Sequence, residues 1–313
     1  MATSKLGVVP VVLLLVVAGI GTSTAQRGTG APATPPLVRE NATEKISDHV
    51  FVIPDNSVSM VPNIGIIVGT RGTLVVDTGL GTRNGQTVAR EMQKVSKTPE
   101  LYLATTHFHP EHDLGAGGFP AHTKMIRSQV QQKEIAEQGS ATAERFRGFG
   151  PANAELLQGA EFRKADISFD SEHVLDLGGV RVRIMAMGYN HTRGDTAFHV
   201  EPDGVLFSGD VVMTALPNVG NATVRQWLAS MDAFETLQPK RIVPSHGPMG
   251  DASLITTYKM LLRTVQSRAA ELKKQGRTLD EATAAISSEL QSAYPNGGAR
   301  LTGTIRAAYN EAP

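Results

Sequence analysis

The chain of 313 residues carries 30 Lys and Arg against 30 Asp and Glu, so its formal net charge is zero, and it contains no Cys. A neutral chain gives no electrostatic reason to expect nucleic acid or an anionic membrane surface as a partner, and a chain without Cys forms no disulfides. The length and a hydrophobic content of 41% fit one large α/β domain with a helical appendage, while the oligomeric state stays open.

The N-terminal segment 1–25 has the three parts of a secretory signal peptide. Lys5 supplies the positive charge, residues 7–20 form an apolar stretch too short for a comfortable membrane span, and small residues precede a cleavage site before Gln26. The Pro-containing segment 26–45 then predicts a flexible tether. We therefore expect an exported protein, periplasmic or secreted, that has no membrane partner once the signal has been cleaved.

Short apolar runs in the next part of the chain predict strands that lead up to a histidine cluster. The expected strands cover 48–53, 64–68, 73–77 and 101–104, and a helix is expected over 86–95. The polar loop 54–62 joins the first two of these strands. Such a loop is placed to overhang a site at the strand ends.

The histidine cluster places three His and two carboxylates within the seven residues 107–113. An ordinary core does not require such a run, whereas imidazole and carboxylate groups at short range are ligands for a borderline divalent ion, most often zinc. The cluster follows the predicted strand 101–104 and precedes the glycine-rich segment 115–118. It therefore predicts a ligand-bearing loop at a rigid strand end.

The rest of the chain alternates between predicted strands and predicted helices. Strands are expected over 173–176, 180–187, 196–200 and 204–208, and helices over 125–138, 224–237, 251–274, 278–292 and 301–309. The polar segment 139–159 predicts a substrate-side insertion or a helical hairpin. Thr278, with Glu281 three residues later, predicts a capping box at the start of its helix.

Three further candidate ligands stand just beyond β-like segments, in loops marked by Gly or Pro. They are His191, Asp210 and His246. Because loops at strand ends can converge on one site although they are far apart in sequence, these residues are candidates to complete the ligand set. We expect Asp195 to hydrogen-bond a ligand loop rather than to bind metal directly.

The order of these residues resembles the metallo-β-lactamase superfamily, whose pattern is His-x-His-x-Asp-His followed by a distant His, a distant Asp and a final His. Segment 75–79 also resembles the early strand and turn of that family. The resemblance extends over about 46–246 and implies an α/β fold of the αββα type, in which two sheets pack face to face with helices outside. It implies a catalytic domain over 46–250, followed by a helical extension, 251–313, packed on that domain.

The resemblance also implies a role for each candidate ligand. One zinc ion would be held by His107, His109 and His191. A second would be held by Glu111, His112 and His246, with Asp210 bridging the two ions and Asp77 orienting a ligand loop from outside. Glu111 stands where the family has Asp, and its longer side chain leaves the occupancy of the second site open. Asp113 is an alternative acid for that site.

Two features argue for catalysis at this centre rather than a structural role. Structural zinc sites are closed four-ligand sets rich in Cys, whereas this chain has no Cys and more ligands than one tetrahedron needs. A metal ion lowers the pKa of bound water towards about 7, and a second ion polarises the bond that is attacked. The expected reaction is the attack of a metal-activated hydroxide on the amide, lactone, thioester or ester carbonyl of a small-molecule substrate.

The substrate class stays open among several alternatives. Asn218 lies in a segment that resembles the β-lactamase loop whose Asn polarises the substrate carbonyl, which favours a β-lactamase-like enzyme with Asn218 as a catalytic residue. Asp210, Met213 and His112 stand where many zinc β-lactamases carry Cys, Lys and Arg, which favours a glyoxalase II-like thioesterase or a lactonase. A mononuclear iron oxidase or dioxygenase, and a non-catalytic metal-binding module, are the further alternatives on the same fold.

Overall fold

Two β-sheets pack face to face in the computed structural model of this chain, which describes residues 34–213 and 216–313. The predicted signal peptide, 1–25, and the first part of the predicted tether lie outside the described residues. Among the helices that are described, none combines the length and the apolar character needed to cross a membrane.

The first sheet contains seven strands, which follow one another in chain order from edge to edge. They are β1 (Glu44–Lys45), β2 (Val50–Ile53), β3 (Ile64–Val68), β4 (Gly72–Val76), β5 (Glu100–Ala104), β6 (Lys124–Ser128) and β7 (Ile167–Phe169). Strands β1 to β4 pair antiparallel, and β4 to β7 pair parallel. Parallel neighbours need crossover connections, so helices lie between β4 and β5 and between β6 and β7.

The second sheet contains five strands in the order β12-β11-β10-β9-β8. They are β8 (Glu172–Asp176), β9 (Arg181–Gly188), β10 (Asp195–Val200), β11 (Val205–Gly209) and β12 (Arg241–Pro244). All pairings are antiparallel except that of β11 with β12. Strands β9, β11 and β12 therefore run in the same direction and end at the same edge of the sheet.

The helices flank these two sheets. They are α1 (Gly81–Val95), α2 (Pro110–Asp113), α3 (Gln129–Arg147), α4 (Pro151–Leu156), α5 (Val224–Thr236), α6 (Ser253–Lys274), α7 (Leu279–Leu290) and α8 (Gly298–Glu311), with a short 3-10 helix at Ala116–Gly118. Together with the two packed sheets they form the expected αββα sandwich.

The central strands of the first sheet are apolar on both faces because both faces are covered. In β4, Leu74 and Val76 pack towards the second sheet, where Phe198 and Phe207 lie, whereas Val75 packs on the side of α1. Successive residues of a strand point to opposite faces, so two-sided burial requires an unbroken apolar run. This explains why these strands show little alternation in the sequence.

Helix α1 lies very close to the segment that follows the histidine cluster. A Cβ atom on Gly85 would lie 1.7 Å from the carbonyl oxygen of Gly115, and one on Gly115 would lie 2.3 Å from that of Thr78. Only glycine at both positions permits this approach. The contact holds the cluster against the end of β4.

Helices α5 to α8 cover the outer face of the second sheet and share one apolar core with it. Leu206 of β11 and Ile305 of α8 belong to this core. The Glu311 carboxylate at the end of α8 accepts hydrogen bonds from the N–H groups of Val224 and Arg225. These are free donors of the first turn of α5, so α8 caps α5 while packing against it. The domain limits 46–250 and 251–313 remain predictions.

The structure confirms most of the predicted elements, extends the helices predicted over 86–95 and 301–309 to Gly81–Val95 and Gly298–Glu311, and corrects one element. The strands predicted up to 101–104 and from 173 to 208 are present within two residues, as are the helices predicted at 224–237, 251–274 and 278–292. The capping box of Thr278 and Glu281 is also present. The helix predicted over 125–138 is wrong at its start, because 124–128 is strand β6 and the helix continues to Arg147.

The error at β6 has a physical reason. Met125 packs on the outer face of the first sheet and Ile126 on the inner face, so the short apolar run is buried from both sides. A short buried run does not by itself distinguish a strand from a helix. The helix begins at Gln129, where the Ser128 hydroxyl accepts from the Gln131 N–H at 3.1 Å, and with α4 it forms the helical hairpin expected for 139–159.

Candidate metal centre

All seven predicted ligands lie together at one edge of the sandwich, directly after the ends of strands. The first four follow β5, and one each follows β9, β11 and β12: His107, His109, Glu111, His112, His191, Asp210 and His246. Strands β4 and β5 are parallel and end at this edge, as do β9, β11 and β12 of the opposing sheet. The convergence therefore follows from the direction of the strands.

The first group of donor atoms is formed by three histidines. Nδ1 of His109 lies 3.1 Å from Nε2 of His107 and 3.1 Å from Nε2 of His191. Ligands about 2.0–2.1 Å from a tetrahedral zinc ion are separated by about 3.3 Å. The observed separations are close to that value, so the three nitrogen atoms are spaced as ligands of one ion.

The second group is formed by Glu111, His112 and His246, whose donor atoms lie within 4.8 Å of one another. Nε2 of His112 is 3.8 Å from Oε1 of Glu111. The Asp210 carboxylate lies between the two groups, with Oδ2 3.4 Å from Nε2 of His191 and Oδ1 3.9 Å from Nε2 of His246. The longer side chain of Glu111 therefore does reach this group.

Several atoms of the centre are buried and have no hydrogen-bond partner in 34–213 or 216–313, the residues that the structure describes. They are Oε2 of Glu111, Nε2 of His112 and Oδ1 of Asp210. A buried polar atom left without a partner costs about 1–3 kcal/mol. Divalent cations between these atoms would satisfy all three, so the residues present fit a metal centre.

In three of the candidate ligand rings, the nitrogen that faces away from the centre contacts an oxygen atom that can only accept a hydrogen bond. Nδ1 of His112 lies 2.9 Å from Oδ2 of Asp77, Nδ1 of His191 lies 3.2 Å from the carbonyl oxygen of Asn218, and Nδ1 of His246 lies 3.1 Å from that of Val61. Each Nδ1 must therefore carry the proton. In the neutral form of each ring, Nε2 then carries the lone pair and faces the centre, as metal ligation requires.

Asp77 connects the end of β4 to the histidine loop. Its Oδ1 accepts from the Thr106 N–H at 2.7 Å, and its Oδ2 accepts from the Thr106 hydroxyl at 3.0 Å as well as from His112. The Thr106 oxygen in turn accepts from Nδ1 of His107 at 3.2 Å. Asp77 adopts a positive φ of 67°, an uncommon backbone conformation that this bonding supports.

Burial and mutual proximity shift the pKa values of the centre, towards the metal-binding form for some residues and away from it for others. Burial, together with the neighbouring imidazoles, lowers the pKa of His107 and His109, so both are neutral ligands. Burial raises the pKa of Glu111. Burial also acts to raise the pKa of Asp210, but the surrounding imidazoles outweigh it and lower that pKa. Burial opposes protonation of His112, yet the Asp77 carboxylate outweighs it and raises the pKa of His112 to about 9.

The remaining acidic residues near the centre have structural partners. Asp113 forms a buried ion pair with Arg127 and accepts from the Thr105 hydroxyl at 2.9 Å, so it does not replace Glu111. Asp195 accepts from the His191 N–H at 2.6 Å and thereby holds the loop of that ligand. Burial raises the pKa of Asp195 to about 7.

The loop over 54–62 is attached to the His246 loop, as its position in the sequence suggested. Asp55 accepts from the Gly247 N–H at 2.7 Å. The side-chain amide of Asn63 donates to the carbonyl groups of Pro244 and Gly247, each at 2.8 Å. Asn63 and Arg127 had no signal in the sequence that marked them as supports of this centre, because their partners come from distant loops.

A pocket of about 690 Å³ opens directly above the centre. His109, Glu111, His191, Asp210 and His246 form part of its lining. Asn218 also lines it and is exposed, so its amide is available to a bound molecule. Two further residues line the pocket that no pattern in the sequence marks as functional: Arg145 on α3 and Arg300 on α8.

Comparisons with known proteins agree with this geometry. A family model described as the metallo-β-lactamase superfamily matches residues 60–246, which is more than half of the chain. The linear primary-alkylsulfatase of Pseudomonas sp. (strain ATCC 19151) is 25% identical over 215 residues, which are 58% of this chain and 40% of the alkylsulfatase. The chain thus spans well under two thirds of that relative.

Solved structures show the same fold. A metallo-β-lactamase from Pontibacter korlensis is 22% identical with a TM-score of 0.57, and the match covers 71% of this chain and 98% of that one. The stereoselective inverting sec-alkylsulfatase Pisa1 from Pseudomonas sp. is 16% identical with a TM-score of 0.66, over 86% of this chain and 50% of that one. Together, the strand order, the clustered His and Asp side chains and the family match show that this chain belongs to the metallo-β-lactamase superfamily, whose members are generally hydrolases.

Proposed function

We propose that this protein is an exported, zinc-dependent hydrolase that acts on a small-molecule ester, thioester, lactone or amide. One observation carries the proposal. The Asp210 carboxylate lies between two groups of candidate ligand atoms beside an open pocket, and buried atoms of that centre have no hydrogen-bond partner among the described residues. A structural ion would instead be enclosed by its ligands.

In the proposed centre, three histidines would hold one ion, and a carboxylate with two further histidines would hold another. The first set is His107, His109 and His191. The second set is Glu111, His112 and His246, and Asp210 would be available to either ion. When bound, the ions supply a nucleophilic hydroxide at neutral pH and polarise the bond under attack.

The residues around the ligands have separate tasks. Asp77 keeps the proton of His112 on Nδ1, and the carbonyl of Asn218 does the same for His191. The Asn218 side-chain amide faces the pocket, where it is placed to donate a hydrogen bond to the oxygen of the substrate carbonyl as charge develops there. Asp195 fixes the backbone of the His191 loop.

A second candidate function is the hydrolysis of an alkyl sulfate. Two observations favour it: the sequence match to a linear primary-alkylsulfatase, and the structural match to Pisa1, which covers more of this chain than the β-lactamase match does. The pocket also carries two cationic side chains. A sulfate ester would use the same ligand set, with water cleaving the ester to an alcohol and sulfate, either at the C–O or at the S–O bond, instead of attack at a carbonyl.

The test uses the mature chain from Gln26, loaded with zinc, and a panel of chromogenic or coupled substrates: a cephalosporin, a 4-nitrophenyl ester, a lactone, a thioester and a primary alkyl sulfate. Each is assayed with and without chelator, and bound metal is identified by elemental analysis. Chelator-sensitive turnover of a carbonyl substrate supports the proposal, and turnover of the sulfate alone supports the second candidate.

Two outcomes would contradict both candidates. Fully zinc-loaded protein that cleaves nothing in the panel would favour a non-catalytic metal-binding module. Protein that retains iron in preference to zinc, and that consumes oxygen, would favour the oxidase alternative. The variant His109→Ala is the matched inactive control, because it removes one ligand of the first group.

A further inference from the structure

The pocket above the metal centre has two cationic side chains that do not belong to the ligand set. Arg145 lies on α3 and Arg300 on α8, and both line the cavity that contains His191 and Asp210. Arg300 comes from the C-terminal helices, beyond the segment 60–246 that matches the family model. The C-terminal helices therefore contribute directly to the pocket.

Neither guanidinium forms an ion pair with a carboxylate in the part of the chain that the structure describes, although the charge of Arg300 helps to lower the pKa of Asp210. No carboxylate oxygen of the described residues lies within 4.0 Å of Arg145 or Arg300. Arg300 instead has Nη1 3.1 Å from Sδ of Met213, and the guanidinium carbon of Arg145 lies 5.6 Å from the ring centre of Phe146. These contacts steady the side chains and leave N–H groups free to bind a planar or tetrahedral oxyanion.

The same pocket has an apolar surface. Val58 and Met60 line it from the loop over 54–62, and Phe146 and Phe149 line it from the segment after Arg145. The two phenyl rings have centroids 4.9 Å apart, and Phe149 is 55% exposed. A large aromatic side chain exposed beside a reactive centre is typical of a surface that a ligand covers.

We infer that this pocket selects amphiphilic organic anions. The substrate would carry an apolar chain or ring beside the hydrolysable bond, together with a carboxylate or sulfate group bound by Arg300 and Arg145. Arg300 is then a specificity-determining residue supplied by the C-terminal helices. The inference rests on the proposed hydrolase function and names the substrate class of that same site.

The kinetic test compares two esters that differ only in charge: the mono-4-nitrophenyl ester of adipic acid, which is anionic, and its methyl ester, which is neutral. The variants are Arg300→Leu, Arg145→Leu and Arg300→Lys. Arg306→Leu is the matched control, because Arg306 is exposed on the same helix and lies outside the pocket.

Each Leu substitution in the pocket is expected to lower kcat/KM for the anionic ester by on the order of tenfold, since a charged hydrogen bond is lost at a solvent-open site. The same substitutions should lower kcat/KM for the neutral ester less than for the anionic ester, so the ratio of the two kcat/KM values should fall. Arg300→Lys should recover part of the preference, because it restores the charge without the planar fork. Arg306→Leu should change neither ester.

A binding measurement separates this inference from the proposed function. Octanesulfonate is not hydrolysed, so it is titrated calorimetrically into the zinc-loaded and the chelator-treated protein. If no ester is cleaved but Arg300→Leu weakens octanesulfonate binding and Arg306→Leu does not, the hydrolase proposal fails and the anion site stands. If esters are cleaved without regard to charge, and Arg300→Leu binds octanesulfonate like the unaltered protein, the inference is overturned.

Discussion

Asp77 provides a decisive test of the metal centre, because two substitutions there separate folding from metal binding. Its carboxylate is 1% exposed and accepts from the Thr106 N–H, the Thr106 hydroxyl and Nδ1 of His112. Asp77→Ala leaves these three buried donors without an acceptor. Each buried donor without an acceptor costs about 1–3 kcal/mol, and relaxation of the loop recovers part of this cost. The metal-free protein should therefore lose about 3–5 kcal/mol of its free energy of unfolding, which is a large part of the ~5–15 kcal/mol typical of a domain.

Asp77→Asn has nearly the same shape but reverses the two hydrogen bonds that Oδ2 accepts, from the Thr106 hydroxyl and from Nδ1 of His112. The amide oxygen can still accept from the Thr106 N–H, whereas the amide NH₂ would face Nδ1 of His112. That nitrogen must then accept, which moves the ring proton to Nε2, the atom that faces Glu111 and His246. We expect a loss of only about 1–2 kcal/mol in unfolding free energy, but a fall of about 10- to 100-fold in affinity for the second ion.

The measurements are urea unfolding of the metal-free protein and metal titration against a competing chelator. Asp203→Asn is the matched control, because Asp203 also accepts from a histidine, Nδ1 of His49 at 3.0 Å, and neither residue belongs to a ligand group. It should leave both metal affinities unchanged. If Asp77→Asn binds the second ion as tightly as the unaltered protein does, Asp77 does not set the position of the His112 proton. If Asp77→Ala is as stable as the unaltered protein, the three hydrogen bonds that Asp77 accepts do not stabilise the fold.

Three further outcomes are expected. Asp210→Ala should abolish turnover and lower the bound metal per chain, while circular dichroism shows the fold retained; undiminished activity would contradict a shared ligand. Glu111→Asp should keep or raise occupancy of the second ion by elemental analysis, and a marked fall would mean that the site is built around Glu. Gly85→Ala should lower the free energy of unfolding, measured in urea, by about 1–3 kcal/mol, although Ala has the higher helix propensity. The reason is that the new Cβ would lie 1.7 Å from the Gly115 carbonyl oxygen. A variant more stable than the unaltered protein would contradict this close approach of α1 to Gly115.

The ligand residues could be located from the sequence because their chemistry is unusual and their placement is regular. Imidazoles and carboxylates directly after apolar runs have no role in an ordinary core, and strands that run in the same direction bring their ends together. The sequence could not decide whether Glu111 reaches the second group. That depends on where α2 begins, and in the structure Pro110 occupies its first turn with Glu111 next to it.

Other features depended on contacts between distant segments, which no local pattern records. Asp113 has the right chemistry for a ligand, but Arg127 of β6 neutralises it in the core. The sequence pattern does not show where α3 begins, because the preceding strand β6 is buried on both faces and lacks the alternation typical of a strand. The supports of the His246 loop, including Asn63, lie more than 180 residues away in sequence from the groups they bond.

One residue, Met213, joins the C-terminal helices to the chain just after Asp210 and contacts an arginine that lines the pocket. Met213 lies three positions after Asp210, and its N–H donates to the hydroxyl of Tyr258 on α6 at 3.4 Å, while its sulfur contacts Arg300 on α8. Helices outside the segment matched by the family therefore contact the chain just beyond the candidate ligand Asp210 and also supply a cation to the pocket. This physical link makes the helical extension part of the site, although the pattern of ligands in the sequence ends at His246.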